Sequence, residues 1–165
     1  LKNTSKNFGV LYPLQSLRKE ISYAPAIPFL IEANNEHTKN VIKEVASALS
    51  NNIIEANDEQ RLRYHLSAVI VSNFTNHLFV LADEYCKTNH LNFSLLLPLI
   101  QEIVRRLEAF HPAEMQTGPA IRGDISTIEK HLDLLKDFPQ LKNIYQVISE
   151  SILATRINAF KASGR

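Results

Sequence analysis

The side chains most capable of chemistry fall into two clusters. The first is His65, Ser72, Asn73, Thr75, Asn76 and His77, set in a run otherwise built from Leu, Ile, Val and Phe between Leu62 and Leu81. At ~100° per residue of an α-helix, His65, Ser72 and Asn76 fall within about 40° of one another, with Asn73 and His77 flanking them. An amide or imidazole buried without a partner costs roughly 1–3 kcal/mol, so such a stripe must meet partners. Two readings are open. The stripe is a structural hydrogen-bond network or a polar seam between subunits, or it lines a substrate pocket of the kind built at domain junctions. Histidine titrates near neutral pH, which makes His77 and His65 the candidates for proton transfer. The second cluster is Gln116-Thr117-Gly118-Pro119 followed by Arg122-Gly123-Asp124. Its glycines let backbone approach a ligand closely, and the helix beyond offers amides to an anion. Arg122 can pair with a carboxylate or phosphate, and Asp124 can cap that helix or hold Arg122. The alternative is an ordinary turn with a cap.

Other chemistries lack their residues. The six histidines form no His-x-x-x-His pair and Cys86 is the single cysteine, so no metal site is expected. No Gly-x-Ser-x-Gly elbow and no Gly-rich phosphate loop occurs, and four glycines in the whole chain could not build a dinucleotide fingerprint plus anything else. His111, before Pro112, and His131 read as surface or capping residues. A net charge of +1, from 18 basic and 17 acidic residues spread along the chain, leaves no basic stripe for nucleic acid and no membrane-binding patch. No uncharged apolar run reaches the ~18 residues that span a bilayer. A lone cysteine suits a reducing, cytoplasmic setting. With 45% hydrophobic residues, the chain of 165 can bury a core.

The elements that position these clusters are legible in outline. Phe8 to Tyr12, Ile27 to Ala33 and Asn52 to Ala56 read as short strands, with a helix from Glu36 to Leu49 between the last two. Strand, helix, strand over this length allows a parallel crossover. Strands this few leave edges unpaired, which seek a neighbour. From Asp58 only helix follows: a long one to about Asn89, apolar nearly all round and expected to be central and buried. Ser94 can cap a helix to about Phe110; His111 to Gly123 is a loop; Ser126 to Glu129 has the form of a capping box; Pro139 opens the last helix, to about Ala162.

The runs Gly9-Val-Leu-Tyr-Pro-Leu-Gln15, Ser72-Asn-Phe-Thr-Asn-His77 and Gln116 to Asp124, followed by Thr127-Ile-Glu-Lys-His131, resemble a family catalogued as domain of unknown function 2520. It is the C-terminal partner of a Rossmann domain in proteins similar to pyrroline-5-carboxylate reductase. The resemblance implies a mainly α fold. A helical domain like the C-terminal domain of 6-phosphogluconate dehydrogenase, residues 58–165, follows a short α/β remnant of a Rossmann sheet, residues 1–57. It further implies an N-terminal Rossmann domain, missing from this chain, that binds NADP or NAD, while this chain by itself would hold no cofactor. Tyr12, Pro13 and Gln15 would then lie near the nicotinamide. Ser72, Asn73, Asn76, Gln116, Thr117 and Arg122 would face a small imine, carbonyl or carboxylate substrate, and the long helix would pack across a homodimer. Reaction type comes from relatives by analogy. The competing reading is a non-catalytic helical module for dimerisation or small-ligand sensing.

Overall fold

The computed structural model describes residues 5–20, 22–23 and 25–162, and it is mainly α-helical with one small sheet. Strands β1 (Gly9–Pro13), β2 (Phe29–Ala33) and β3 (Ile53–Glu55) lie side by side in that order. β2 and β3 are parallel, joined by α1 (Glu36–Ser47) as the pattern of elements predicts. β1 runs antiparallel to β2, pairing Gly9 with Ala33 and Pro13 with Phe29. Pro13 closes β1 from within the ladder, and β2 begins after Pro28, whose carbonyl accepts from Leu14 N at 2.8 Å. The tetrapeptide Ile-Glu-Ala-Asn occurs twice, at Ile31–Asn34 and at Ile54–Asn57. In both copies a strand ends and a helix cap follows within two residues, Asn35 for α1 and Asn57 for the next helix.

Alternation along β2 sends Phe29 and Ile31 to one face, where they pack with Ala46 of α1 and, around them, Leu11, Ile27, Ile42 and Ile53. Val41, Val45 and Leu49, apolar at helical spacing with them, stay exposed. Gly9 is where α1 and β2 come closest to β1. A Cβ there would sit 2.4 Å from both the Glu32 carbonyl oxygen and Ile42 Cδ1. The other face of β2 carries Leu30, fully buried, and Glu32.

Helix α2 (Asp58–Ala68) opens with a capping box between Asn57 and Gln60. Its fourth residue, Arg61, is 8% exposed. The guanidinium donates to Glu32 Oε2 at 2.6 Å, to the Ala56 carbonyl at 2.6 Å, and to Asp58 Oδ1. Beyond α2 the helix widens into a π-helical turn, Val69–Phe74, and continues as α3 (Thr75–Thr88). The expectation that this helix is buried is corrected: Leu62, Leu66, Val71 and Phe74 are 58–71% exposed, and Leu81 and Cys86 are its buried apolar residues. By length and composition Asp58–Thr88 would also reach across a membrane, contrary to the reading of the sequence, and 6% of its most apolar stretch is buried.

The chain divides into two compact units, Leu1–Leu78 and Phe79–Arg165, the division falling within α3. In the second, Asn92 caps a 3₁₀ turn, Phe93–Leu96, that leads into α4 (Leu97–Arg106); Ser94 is inside that turn, its N–H held by Asn92. Inside the predicted loop a 3₁₀ turn, Pro112–Met115, and a short helix, α5 (Pro119–Arg122), form. α5 packs against α6 (Ile125–Leu134) and α7 (Pro139–Ala162), burying Ala120. Tyr85 of α3 meets Phe138 with ring centroids 5.0 Å apart.

Two substitutions test this packing. Arg61→Ala leaves Glu32 without its cation and is expected to cost about 2–4 kcal/mol. Gly9→Ala forces backbone apart and is expected to cost about 1–3 kcal/mol. Urea unfolding of each variant beside the unsubstituted protein measures both.

Candidate functional site

In the first unit, the segment leaving β1 faces α2 and the π turn across a groove of about 510 Å³. Tyr12, Pro13 and Gln15 line one wall; His65, Ser72 and Asn73 line the other, with Tyr64, Val69 and Val71 between them. Tyr12 Oη and His65 Nδ1 are hydrogen-bonded at 2.9 Å, the imidazole tautomer deciding which donates. Gln15 is turned onto its own loop, donating to the Ala26 carbonyl at 3.0 Å and accepting from Ser16 N at 2.9 Å.

The π turn decides which polar residues of the helix reach the groove. A wheel drawn at 100° per residue groups His65 with Ser72 and Asn76. The wider turn resets that phase, because each π-type hydrogen bond spans one more residue. Ser72 and Asn73 lie inside the π segment and join His65 in the groove, whereas Asn76 and His77, in α3, are not among its lining residues. All five are exposed rather than buried, so the expectation of a buried polar stripe is corrected.

The second cluster lies in the second unit. Gln116 and Thr117 are exposed, and Gln116 Nε2 donates to the Thr117 carbonyl at 3.0 Å. Arg122 ends α5 and is exposed, while Gly118 and Gly123 flank that helix at φ 105° and 71°, values that favour glycine. Asp124 is the N-cap of α6. It accepts from Thr127 N at 3.1 Å and from Thr127 Oγ1 at 2.7 Å, so the capping box expected at Ser126 forms two residues earlier without its glutamate. The Thr127 hydroxyl, then its amide, and more weakly the charge of Arg122, hold the Asp124 carboxyl below its ordinary pKa.

Two features escaped the sequence. Arg61 is one, and its signal was a glutamate, Glu32, in an otherwise apolar strand. His131 is the other. It is half-buried, with Nδ1 2.8 Å from Tyr145 Oη, and is neither a surface nor a capping residue. The pair lines an apolar groove of about 580 Å³ with Tyr85, Cys86 and Leu135. No group of three or more metal-ligating side chains occurs among the described residues.

A small mixed sheet leading into a helical region defines a class of proteins seen in solved structures. The chain belongs to the family described as a domain of unknown function, number 2520, which it matches over residues 27–152. A Bacteroides fragilis protein described provisionally as an NADP oxidoreductase is similar at 40% identity and a TM-score of 0.88 over 93% of this chain and 60% of its own. A Thermotoga maritima protein shares the fold at 23% identity and a TM-score of 0.70, over 92% of this chain and 62% of its own. The chain thus spans about three fifths of the length of these relatives. No functionally curated protein matches it.

The lowered Asp124 pKa sets the sign of a pH effect. A carboxyl with a depressed folded pKa adds stability above its unfolded value, ~3.9, and loses it as pH falls through the folded value. The loss of melting temperature caused by Asp124→Ala is therefore expected to be full at pH 6 and to shrink below pH ~4. Thermal unfolding across that range checks it.

Proposed function

We propose that this chain is the C-terminal portion of an NAD(P)-dependent oxidoreductase, with the groove between Tyr12 and the π turn as its substrate wall. The observation that carries the reading is the convergence of Tyr12, His65, Ser72 and Asn73 on one cleft beside the end of a strand. Three further features support it. The Bacteroides fragilis protein that it resembles is named for NADP, and two fifths of that protein lies outside the match. β1 is at one edge of the sheet with no strand beyond it among the described residues, the place where a longer sheet would continue. Val41, Val45 and Leu49 of α1 expose an apolar face next to that sheet.

On this reading a nucleotide-binding domain preceding the chain holds NADP or NAD, and strands parallel to β1 extend its sheet. The carboxyl ends of such strands, where open α/β sheets bind ligands, would line up with Tyr12 to Gln15. A groove of about 510 Å³ with a few polar groups among apolar ones fits a nicotinamide and a small substrate. The reduced nicotinamide, when bound, supplies hydride. Ser72 and Asn73 orient a small keto acid or imine in that groove. His77 is the second candidate for moving a proton. Cofactor-side positions are Tyr12, Pro13 and Gln15. The exposed apolar residues of the long helix fit a homodimer in the cytoplasm.

The test uses the full-length protein. Added protein is expected to shift NADPH fluorescence, and Asn73→Ala is expected to raise KM for a keto acid or imine about tenfold, one hydrogen bond's worth. Absence of any NADPH binding would leave the non-catalytic module as the surviving reading. Sedimentation is expected to give a dimer; a monomer at micromolar concentration removes dimerisation from the proposal.

A further inference from the structure

We infer that Tyr12 and His65 act as a proton-donating couple, Tyr12 delivering the proton to the substrate and His65 replacing it. This rests on the oxidoreductase reading of the same groove. Reducing a C=O or C=N bond needs a hydride at carbon and a proton at oxygen or nitrogen. The side chains lining the groove include no carboxylate, lysine or cysteine. Its titratable groups are Tyr12, Tyr64 and His65. An isolated phenol, with a pKa near ~10, yields its proton reluctantly at neutral pH. Tyr12 is the tyrosine that the structure joins to the imidazole, at 2.9 Å.

The two residues come from different elements, 53 positions apart, so no local turn makes the contact. Tyr12 is half-buried at the end of β1, and His65 is exposed on α2. One end of the couple therefore faces the cleft and the other can exchange protons with water. The step balances. The substrate carbon takes hydride from a reduced nicotinamide, the C=O or C=N π pair moves to the heteroatom, and that atom takes the Tyr12 proton. The phenolate then takes the proton on His65 Nδ1, and the imidazole regains one from solvent. The substrate class is a small carbonyl or imine compound. Tyr12 is the catalytic residue, and His65, acting through it, is a positioning and relay residue.

The experiment compares full-length wild-type, Tyr12→Phe and His65→Gln proteins with NADPH and a panel of 2-keto acids and cyclic imines. Tyr12→Phe is expected to lower kcat, measured at saturating NADPH, on the order of 10²-fold. His65→Gln is expected to flatten the limb of the kcat–pH profile near neutrality, and the double variant to lose little beyond Tyr12→Phe, as residues acting in one unit do. The imidazole nitrogen resonances of His65 are a readout independent of turnover, and they should shift in Tyr12→Phe as the Nδ1 hydrogen bond is lost. Wild-type kcat in Tyr12→Phe, or unmoved His65 nitrogen resonances, overturns the couple alone. Failure of NADPH to bind the wild-type protein overturns the couple together with the reading beneath it.

Discussion

The geometry of the first unit depends on one buried cation. Arg61 gathers a strand carboxylate, Glu32, a helix-start carboxylate, Asp58, and the Ala56 carbonyl at the junction between β3 and α2. Taking a guanidinium out of water is costly, and the cost is offset only when each of these acceptors is in place. Apolar side chains would let α2 slide along the sheet; this cluster fixes it. One turn further along the same helix, His65 meets Tyr12. Val10 pairs with Glu32 across the ladder, and Tyr12, two residues on, pairs with Leu30.

The π turn acts on that fixed helix. Ser72 and Asn73 lie within the turn and line the same cleft as His65, while Asn76 and His77 continue on α3 outside that lining. Such turns are rare and recur at functional sites, because they re-aim side chains without ending a helix. Here the turn divides a polar run that reads as continuous in sequence into a part that lines the groove and a part that does not.

The exposed apolar residues of α1 and of the long helix share one physical feature. They lie at helical spacing and are exposed. This chain matches the Bacteroides fragilis protein over 93% of its own length and 60% of that protein's.

What the sequence determined by itself is local. Asn35, Asn57 and Asp124 start helices because a short polar side chain reaches amides two or three residues away, and the strand–helix–strand order follows from periodicity. The motifs around Tyr12, Ser72 and Arg122 were sufficient to mark the family. Where two local patterns were equally acceptable, as with Asp124 and Ser126, the left-handed Gly123 decided between them by ending α5 one residue earlier. Tertiary structure alone decided the rest. The Arg61 cluster joins residues 29 apart and the Tyr12–His65 pair residues 53 apart. The π turn changes a phase that any helical wheel assumes constant. Burial, finally, is a property of what lies opposite a side chain, and the spacing of apolar residues names the face without naming what covers it.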